Sequence, residues 1–231
     1  MIMIGTIANV CTICAGSIIG SVLKKGLKEK YQNALFIACG LAACGVGINA
    51  VVSHMPDSKF PVLFIVSLAL GSLIGTKLDI DNRFNHLVNK HSKSETNLAQ
   101  GLSTGILIYC IGALSIMGPV MSALYGDHTF LFTNATLDLI TSMVLASTYG
   151  WGMLLAAPVL FCWQGAIYMI AKFASEAFIS DDLICELCIV GGFLIASSGL
   201  NILNIKNLKV LNMLPSLAVP IVFFIIRGIV M

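Results

Sequence analysis

The sequence has very little charge for its length. Only 10% of its 231 residues are Asp, Glu, Lys or Arg, whereas 58% are hydrophobic, and the mean hydropathy is +0.94. A soluble domain of this size needs a larger share of polar residues to cover its surface. The composition therefore excludes a soluble globular fold and indicates an integral membrane protein.

Several linear signatures of enzymes are missing. The sequence has no His-Glu-x-x-His, no phosphate-binding Gly-rich loop with Lys and no Gly-x-Gly-x-x-Gly that opens a helix after a strand. The one carboxylate placed clearly inside an apolar stretch, Asp138, lacks the second acid of an aspartic dyad. We therefore expect a protein that is not an enzyme. An intramembrane enzyme with a reactive Ser or acid is a further alternative, because such a site need not carry a linear motif.

The eight cysteines do not form a recognisable metal or redox framework. Cys11 with Cys14 and Cys185 with Cys188 could together supply four thiolates to zinc, but the two pairs lie at opposite ends of the chain. Cysteine behaves readily as a small buried hydrophobe. We expect no metal and no cofactor. We also expect no nucleic-acid partner, because the basic residues flank apolar stretches, where lipid headgroups account for them.

Apolar stretches separated by short polar loops run along the whole chain. Each is close to the roughly 20 residues that a helix needs to cross the hydrocarbon of a bilayer. The pattern predicts an all-α, polytopic membrane protein with about eight transmembrane helices. Residues 133–173 can form either two full spans or a re-entrant pair of helices. The predicted spans are 4–23, 35–53, 60–78, 98–120, 133–151, 152–173, 185–203 and 211–229.

The basic residues fall unequally on the two sides of these spans. One side carries Lys24, Lys25, Lys28, Lys30, Lys77, Arg83, Lys90, Lys93, Lys206 and Lys209, and the other carries Lys59, Lys172 and Arg227. The positive-inside rule then places both termini outside the cytoplasm and the linker 77–97 inside it. The acidic residues Glu176, Asp181, Asp182 and Glu186 fall outside.

An internal repeat relates the two ends of the chain. An offset of 152 residues aligns Gly40 and Gly47-Ile48-Asn49 with Gly192 and Gly199-Leu200-Asn201, and an offset of 149 aligns Ser67-Leu68-Ala69-Leu70 with Ser216-Leu217-Ala218-Val219. The matched spans cross in opposite directions. We therefore predict an inverted three-helix repeat, a common architecture of secondary transporters. It divides a single transmembrane domain into residues 1–78, central helices 98–151 and residues 152–231.

Several segments also carry a resemblance to a known family. They include Gly112-Ala113-Leu114-Ser115-Ile116-Met117-Gly118, Leu137-Asp138-Leu139-Ile140-Thr141-Ser142 and Asn212-Met213-Leu214-Pro215. In this order they resemble the uncharacterised bacterial membrane-protein family classed as domain of unknown function 554. The resemblance covers nearly the whole chain and implies a multi-pass protein of the bacterial cytoplasmic membrane, without an established activity.

Asp138 is the first candidate for a functional residue. Acids inside a membrane span are costly and mark ion or proton pathways by default, although an acid near a helix start can also cap the helix. Ser142 and Thr141 lie close to Asp138 in sequence, and Asn49, Asn201 and Asn212 offer further amide groups. We take these six residues as candidate ligands of a substrate or ion.

These observations favour a secondary transporter or channel for a small cation, a proton or a neutral solute. No Lys or Arg lies at mid-depth in any predicted span, so an organic anion would lack a cationic partner. The alternative is a non-transporting scaffold, assembly factor or sensor whose polar groups only hold helices together. The lipid bilayer is the expected partner. The sequence does not decide between a channel and a carrier, and it leaves open the substrate and the oligomeric state, including a homo-oligomer.

Overall fold

The computed structural model describes residues 3–23, 28–83, 86, 102, 105, 106, 108–110, 112–175 and 180–230. Most of the predicted linker 77–97 and the start of the predicted span 98–120 lie outside the described residues. Five of the charged residues used to predict the orientation also lie outside the described residues: Lys24, Lys25, Lys90, Lys93 and Glu176.

Every regular element in the described part of the chain is helical. The α-helices are α1 Ile4–Val22, α2 Glu29–His54, α3 Leu63–Leu78, α4 Ala113–Tyr125, α5 Thr129–Tyr149, α6 Ala156–Ser175, α7 Asp181–Ile202, α8 Val210–Met213 and α9 Ala218–Val230. Short 3₁₀ helices occupy Met55–Asp57, Gly150–Leu155 and Leu214–Leu217. The prediction of an all-α fold is confirmed.

Five stretches of the described residues are long and apolar enough to cross a membrane. They are Ile4–Val22, Glu29–Asp57, Thr129–Phe173, Asp181–Ile202 and Val210–Gly228. Leu63–Leu78 and Ala113–Tyr125 are shorter apolar helices. The stretch from Thr129 contains two helices, α5 and α6, of 21 and 20 residues, and each is about as long as the hydrocarbon is thick.

Two of the predicted spans contain breaks in the helix. In the fourth, Gly112 is extended and α4 starts only at Ala113, and this helix continues to Tyr125, beyond the predicted end at residue 120. In the eighth, a 3₁₀ segment that includes Pro215 separates α8 from α9. Proline has no N–H to donate to the preceding turn, and this explains the second break.

The chain divides into two compact units. Unit 1 contains Met1–Cys39 and Asn85–Ala174, and unit 2 contains Gly40–Phe84 and Ser175–Met231. The boundary therefore falls inside α2. Each unit contains residues from both copies of the predicted inverted repeat.

In unit 1, α1 packs closely against α5, and the two helices run parallel. Gly16 lies against the carbonyl of Leu139 and the Cβ of Ser142, and Gly20 lies one turn further along, against Met143. A side chain at either glycine would collide with the α5 backbone. Small residues allow membrane helices to approach in this way, since lipid provides no hydrophobic drive for helices to associate.

In unit 2, α2 crosses α7 in the antiparallel direction. Gly40 lies against Gly199, and Gly47 lies against Gly192. A Cβ on Gly47 would stand 2.6 Å from the Gly192 carbonyl oxygen, and a Cβ on Gly192 would stand 2.7 Å from the Gly47 carbonyl oxygen. Between the two pairs, the Cys44 thiol donates to the Ala196 carbonyl over 3.6 Å. The crossing is therefore a backbone-to-backbone contact.

Also in unit 2, α3 runs antiparallel to the segment around α8. Gly71 of α3 lies against Ser216, and Gly75 lies against the backbone of Asn212. The Asn212 side chain accepts a hydrogen bond from the Asp81 N–H at 2.8 Å, just after α3 ends. This contact ties the end of α3 to the irregular start of the last span.

We predict that Gly47→Ala and Gly192→Ala each lower the stability of the protein by about 1–3 kcal/mol, the usual cost of overpacking a close contact. Gly45→Ala is the matched control, because nothing lies within 4 Å of a Cβ at that position of the same helix. Thermal unfolding of the purified variants in detergent measures the difference. Equal melting temperatures for Gly45→Ala and Gly47→Ala would contradict the observed crossing.

Candidate functional site around Asp138

The position of Asp138 depends on where α5 begins. The Asp127 carboxylate accepts a hydrogen bond from the Thr129 N–H, and α5 begins at Thr129, four residues before the predicted span. Asp138 is therefore the tenth of the 21 residues in this helix, about 14 Å from its start. A carboxylate at this depth cannot cap the first turn, so the capping interpretation does not apply.

The Asp138 carboxyl group is enclosed by polar side chains of unit 1. Its side chain is 4% exposed. The Asn134 amide, one turn earlier on the same helix, donates to it at 2.9 Å. Asn9 of α1 faces the same carboxyl group, although its amide nitrogen has no partner of normal hydrogen-bond geometry among the described residues. One carboxyl and two amides thus form the centre of the site.

A second polar contact lies one turn further along α5. The Ser142 hydroxyl and the Tyr109 phenol form a hydrogen bond of 2.8 Å, and both side chains are buried. Tyr109 belongs to the apolar core of unit 1, where it packs with Ile13 and Met153. Reasoning from the sequence missed Tyr109, because a single tyrosine in an apolar span gives no sign of the direction in which its hydroxyl points.

The other predicted site residues have different surroundings. Thr141 is half-buried on α5, next to Ser142. The three asparagines belong to unit 2, and Asn49 is exposed on α2. Asn201 both donates to and accepts from the Leu208 backbone at 2.6 Å, so its side chain holds the loop after α7. Asn212 holds the end of α3, as described above.

Unit 1 also contains buried polar atoms that have no hydrogen-bond partner in the described part of the chain. They are Thr6 Oγ1, Asn9 Nδ2, Ser17 Oγ and Ser21 Oγ on α1, and Gln164 Oε1 and Tyr168 OH on α6. Those on α1 follow the three- and four-residue spacing of one helix face. This spacing of polar residues in an otherwise apolar segment is visible in the sequence, and it could have predicted a polar face on α1.

Gln164 connects this polar interior to α4. Its amide donates to the Ser115 hydroxyl at 3.1 Å, while its amide oxygen is left without a partner among the described residues. Buried polar atoms in native proteins are usually satisfied by protein or by ordered water.

The chemistry of the site is that of oxygen and amide groups. A carboxyl, hydroxyls and amides bind a proton, a hard cation or a neutral hydrogen-bonding solute. In the described ranges, no three His, Cys, Asp or Glu side chains come together as ligands for a metal ion. The cysteine pairs are split between the units, with Cys11 and Cys14 in unit 1 and Cys185 and Cys188 in unit 2.

Comparison with known proteins agrees with the resemblance seen in the sequence. The model of the family "Protein of unknown function (DUF554)" matches residues 4–225. The chain belongs to this family. It is 59% identical over 227 residues, 98% of each chain, to the "Uncharacterized membrane protein YdfK" of Bacillus subtilis. It is 27% identical over 230 residues, 93% of each chain, to the "Uncharacterized protein YqgA" of Escherichia coli.

Membership of this family, a relative described as a membrane protein and the apolar helices together identify the chain as a membrane protein. No solved structure matches it. The family has no assigned activity, so a function has to be inferred from the residues of the site.

We predict that Asn134→Ala destabilises the protein by about 1–3 kcal/mol, because it removes the amide that donates to the buried Asp138 carboxyl group. Thr136→Val is the control, since Thr136 is exposed on the same helix and its hydroxyl donates to the Phe132 carbonyl of that helix. The losses of stability caused by Asn134→Ala and by Asp138→Asn should not add up in the double variant, and melting temperatures measure this. Strict additivity would mean that the two side chains do not interact.

Proposed function

We propose that this protein moves a small cation, a proton or a neutral solute across the bacterial cytoplasmic membrane, with Asp138 as the coupling or coordinating acid. The observation that carries the proposal is the position of Asp138 near the middle of α5, where it is 4% exposed and faces the polar side of α1. Acids at this depth in a membrane helix are rare and mark substrate, ion or proton pathways.

The surroundings of Asp138 support a pathway rather than a single structural contact. Thr6, Ser17 and Ser21 have buried hydroxyls without a hydrogen-bond partner among the described residues, and they are spread over much of the length of α1. A structural hydrogen bond needs one partner, whereas a path through the bilayer needs polar groups at successive depths. Water or solute along this face would satisfy each of these atoms.

The directions of the helices support eight spans. If the eight predicted spans cross the bilayer in alternating directions, the first span is parallel to the fifth. The second span is then antiparallel to the seventh, and the third is antiparallel to the eighth. Within unit 1, α1 is parallel to α5, and within unit 2, α2 is antiparallel to α7 and α3 is antiparallel to the segment around α8. All three relations agree with one crossing for each predicted span.

The α2–α7 crossing supports the inverted repeat. The offset of 152 makes Gly40 equivalent to Gly192 and Gly47 equivalent to Gly199. Gly40 contacts Gly199, which is the equivalent of Gly47, and Gly47 contacts Gly192, which is the equivalent of Gly40. A two-fold axis produces this pattern of contacts. Cys44 contacts Ala196, its own equivalent, so the axis would pass between these two residues. Inverted repeats of transporters are related by an axis of this kind.

We predict that a ligand of the site raises the melting temperature of the purified protein, and that Asp138→Asn abolishes this rise. A ligand present at about 100 times its Kd adds about 2.7 kcal/mol of stability by mass action. The panel contains monovalent cations, a series of pH values and small neutral metabolites. Asp127→Asn removes an equal charge while keeping an acceptor for the Thr129 N–H, and it should leave the rise unchanged.

The responsive ligand is then used as the substrate in a flux assay with the protein in liposomes, where Asp138→Asn should stop the flux. If no ligand raises the melting temperature and Asp138→Asn only lowers stability, the scaffold alternative explains the protein better. The close glycine contacts of α1 with α5 would then serve packing alone.

We predict that both termini lie outside the cytoplasm. A C-terminal alkaline phosphatase fusion should be active and a C-terminal green fluorescent protein fusion should be dark, because phosphatase folds only outside and the fluorescent protein only inside. Fusions that end within the linker 77–97 should give the reverse pattern. A bright C-terminal fluorescent fusion would contradict the even number of spans if the linker fusions behave as predicted, and it would contradict the orientation if the linker fusions are reversed.

A further inference from the structure

Three helices of unit 1 meet around the side chain of Leu131 on α5. A Cβ on Gly5 of α1 would stand 2.6 Å from Leu131 Cδ1, and a Cβ on Gly118 of α4 would stand 2.9 Å from Leu131 Cδ2. The turn between Tyr125 and Thr129 joins α4 to α5, so these two helices run in opposite directions. The contact with Leu131 therefore fixes how α1, α4 and α5 align along their lengths.

Each of these three helices carries a buried polar residue one turn away from the Leu131 contact. They are Asn9 on α1, Ser115 on α4 and Asn134 on α5. Asn9 and Asn134 follow the contact in the sequence, whereas Ser115 precedes it. Because α1 is parallel and α4 antiparallel to α5, all three steps lead in the same direction, by about 5 Å. The three polar residues therefore lie at the same depth.

Two further side chains, Asp138 and Gln164, join this polar layer. Asn134 donates to Asp138 at 2.9 Å, and Gln164 of α6 donates to the Ser115 hydroxyl at 3.1 Å. The helix that carries Gln164 also reaches the start of α1, since a Cβ on Gly165 would stand 3.2 Å from Met3 Cε. The layer therefore combines side chains of α1, α4, α5 and α6, with an acid on α5 and an amide on α6.

Gln164 leaves a free acceptor in the polar layer. Its side chain is 0% exposed, its amide nitrogen is used by Ser115, and its amide oxygen has no partner among the described residues. The Asp138 carboxyl group receives one described hydrogen bond of normal geometry, although a carboxylate can accept about four. The layer therefore offers oxygen lone pairs from both a carboxyl group and an amide.

No described basic residue balances a negative charge in this layer. In the described part of unit 1, the lysines are Lys28 and Lys30 near the start of α2 and Lys172 near the end of α6, about 12 Å along the helix from Gln164. A buried carboxylate is costly without a positive partner. Divalent cations take about six or more oxygens, and the described residues contain no group of three acidic, His or Cys ligands. One carboxyl group suits a single positive charge.

We propose that the Asp138 carboxyl group and the free amide oxygen of Gln164 coordinate one monovalent metal cation, of the sodium or potassium type. The proposal rests on the transport role of Asp138 and narrows its ligand to a metal ion. Hard cations prefer oxygen ligands, and membrane proteins replace the water around such ions with carboxylate and carbonyl oxygens. Ser115 positions the Gln164 amide, because it accepts the hydrogen bond of the amide nitrogen.

Thermal unfolding of the full-length protein in detergent tests the proposal, with lithium, sodium or potassium chloride compared with choline chloride at equal ionic strength and constant pH. We expect one alkali cation to raise the melting temperature of the wild type. Gln164→Met keeps the size of the side chain but removes its oxygen, so the same rise should need about 10–100-fold more cation. Gln164→Glu keeps an oxygen and should retain the response. Cys162→Ala, at an exposed position of the same helix, is the control and should respond like the wild type.

Ser115→Ala is a second test that leaves both proposed ligands in place, and it should weaken the response to the cation without abolishing it. Equal cation responses of Gln164→Met and the wild type would overturn the proposal. So would a rise that depends on Asp138 but is produced by a change of pH or a neutral solute instead of a metal cation, and the transport proposal would then stand. A cation response that both ligands require, without flux in liposomes, would support this site and contradict transport.

Discussion

The interior of a lipid bilayer contains no water to hydrogen-bond a polar group, and the rest of this structure depends on that constraint. Helices satisfy their own backbone, so the long apolar stretches of the described residues are helical. At irregular places, side chains replace the missing bonds: Asn201 holds the loop after α7, and Asn212 holds the end of α3. On α1, the buried hydroxyls of Thr6, Ser17 and Ser21 have no hydrogen-bond partner among the described residues.

Close backbone contacts connect packing to the candidate site. Because Gly16 and Gly20 have no side chain, α1 can lie directly against α5. The same approach brings Asn9 to the Asp138 carboxyl group, since both helices run in the same direction. A bulkier residue at either glycine would separate the helices and with them the groups of the site. The small residues are therefore a requirement of the site as well as of the fold.

The two units hold their buried acids in different ways. In unit 1, Asp138 lies deep in α5 and receives an amide from its own helix, with further polar groups above and below it. In unit 2, Glu186 lies nearer a helix end and receives one hydroxyl from a loop.

The sequence by itself determined that this is a helical membrane protein, because composition and the length of apolar stretches depend on the bilayer alone. It also singled out Asp138 and Ser142, since an acid in an apolar span stands out without knowledge of its neighbours. Only the tertiary structure placed Tyr109 beside Ser142 and buried Glu186 under Ser58. Helical periodicity shows which residues share a face, but it does not say which helix or loop that face meets. Contacts between residues far apart in the chain decide that, and so does the exact residue at which a helix begins.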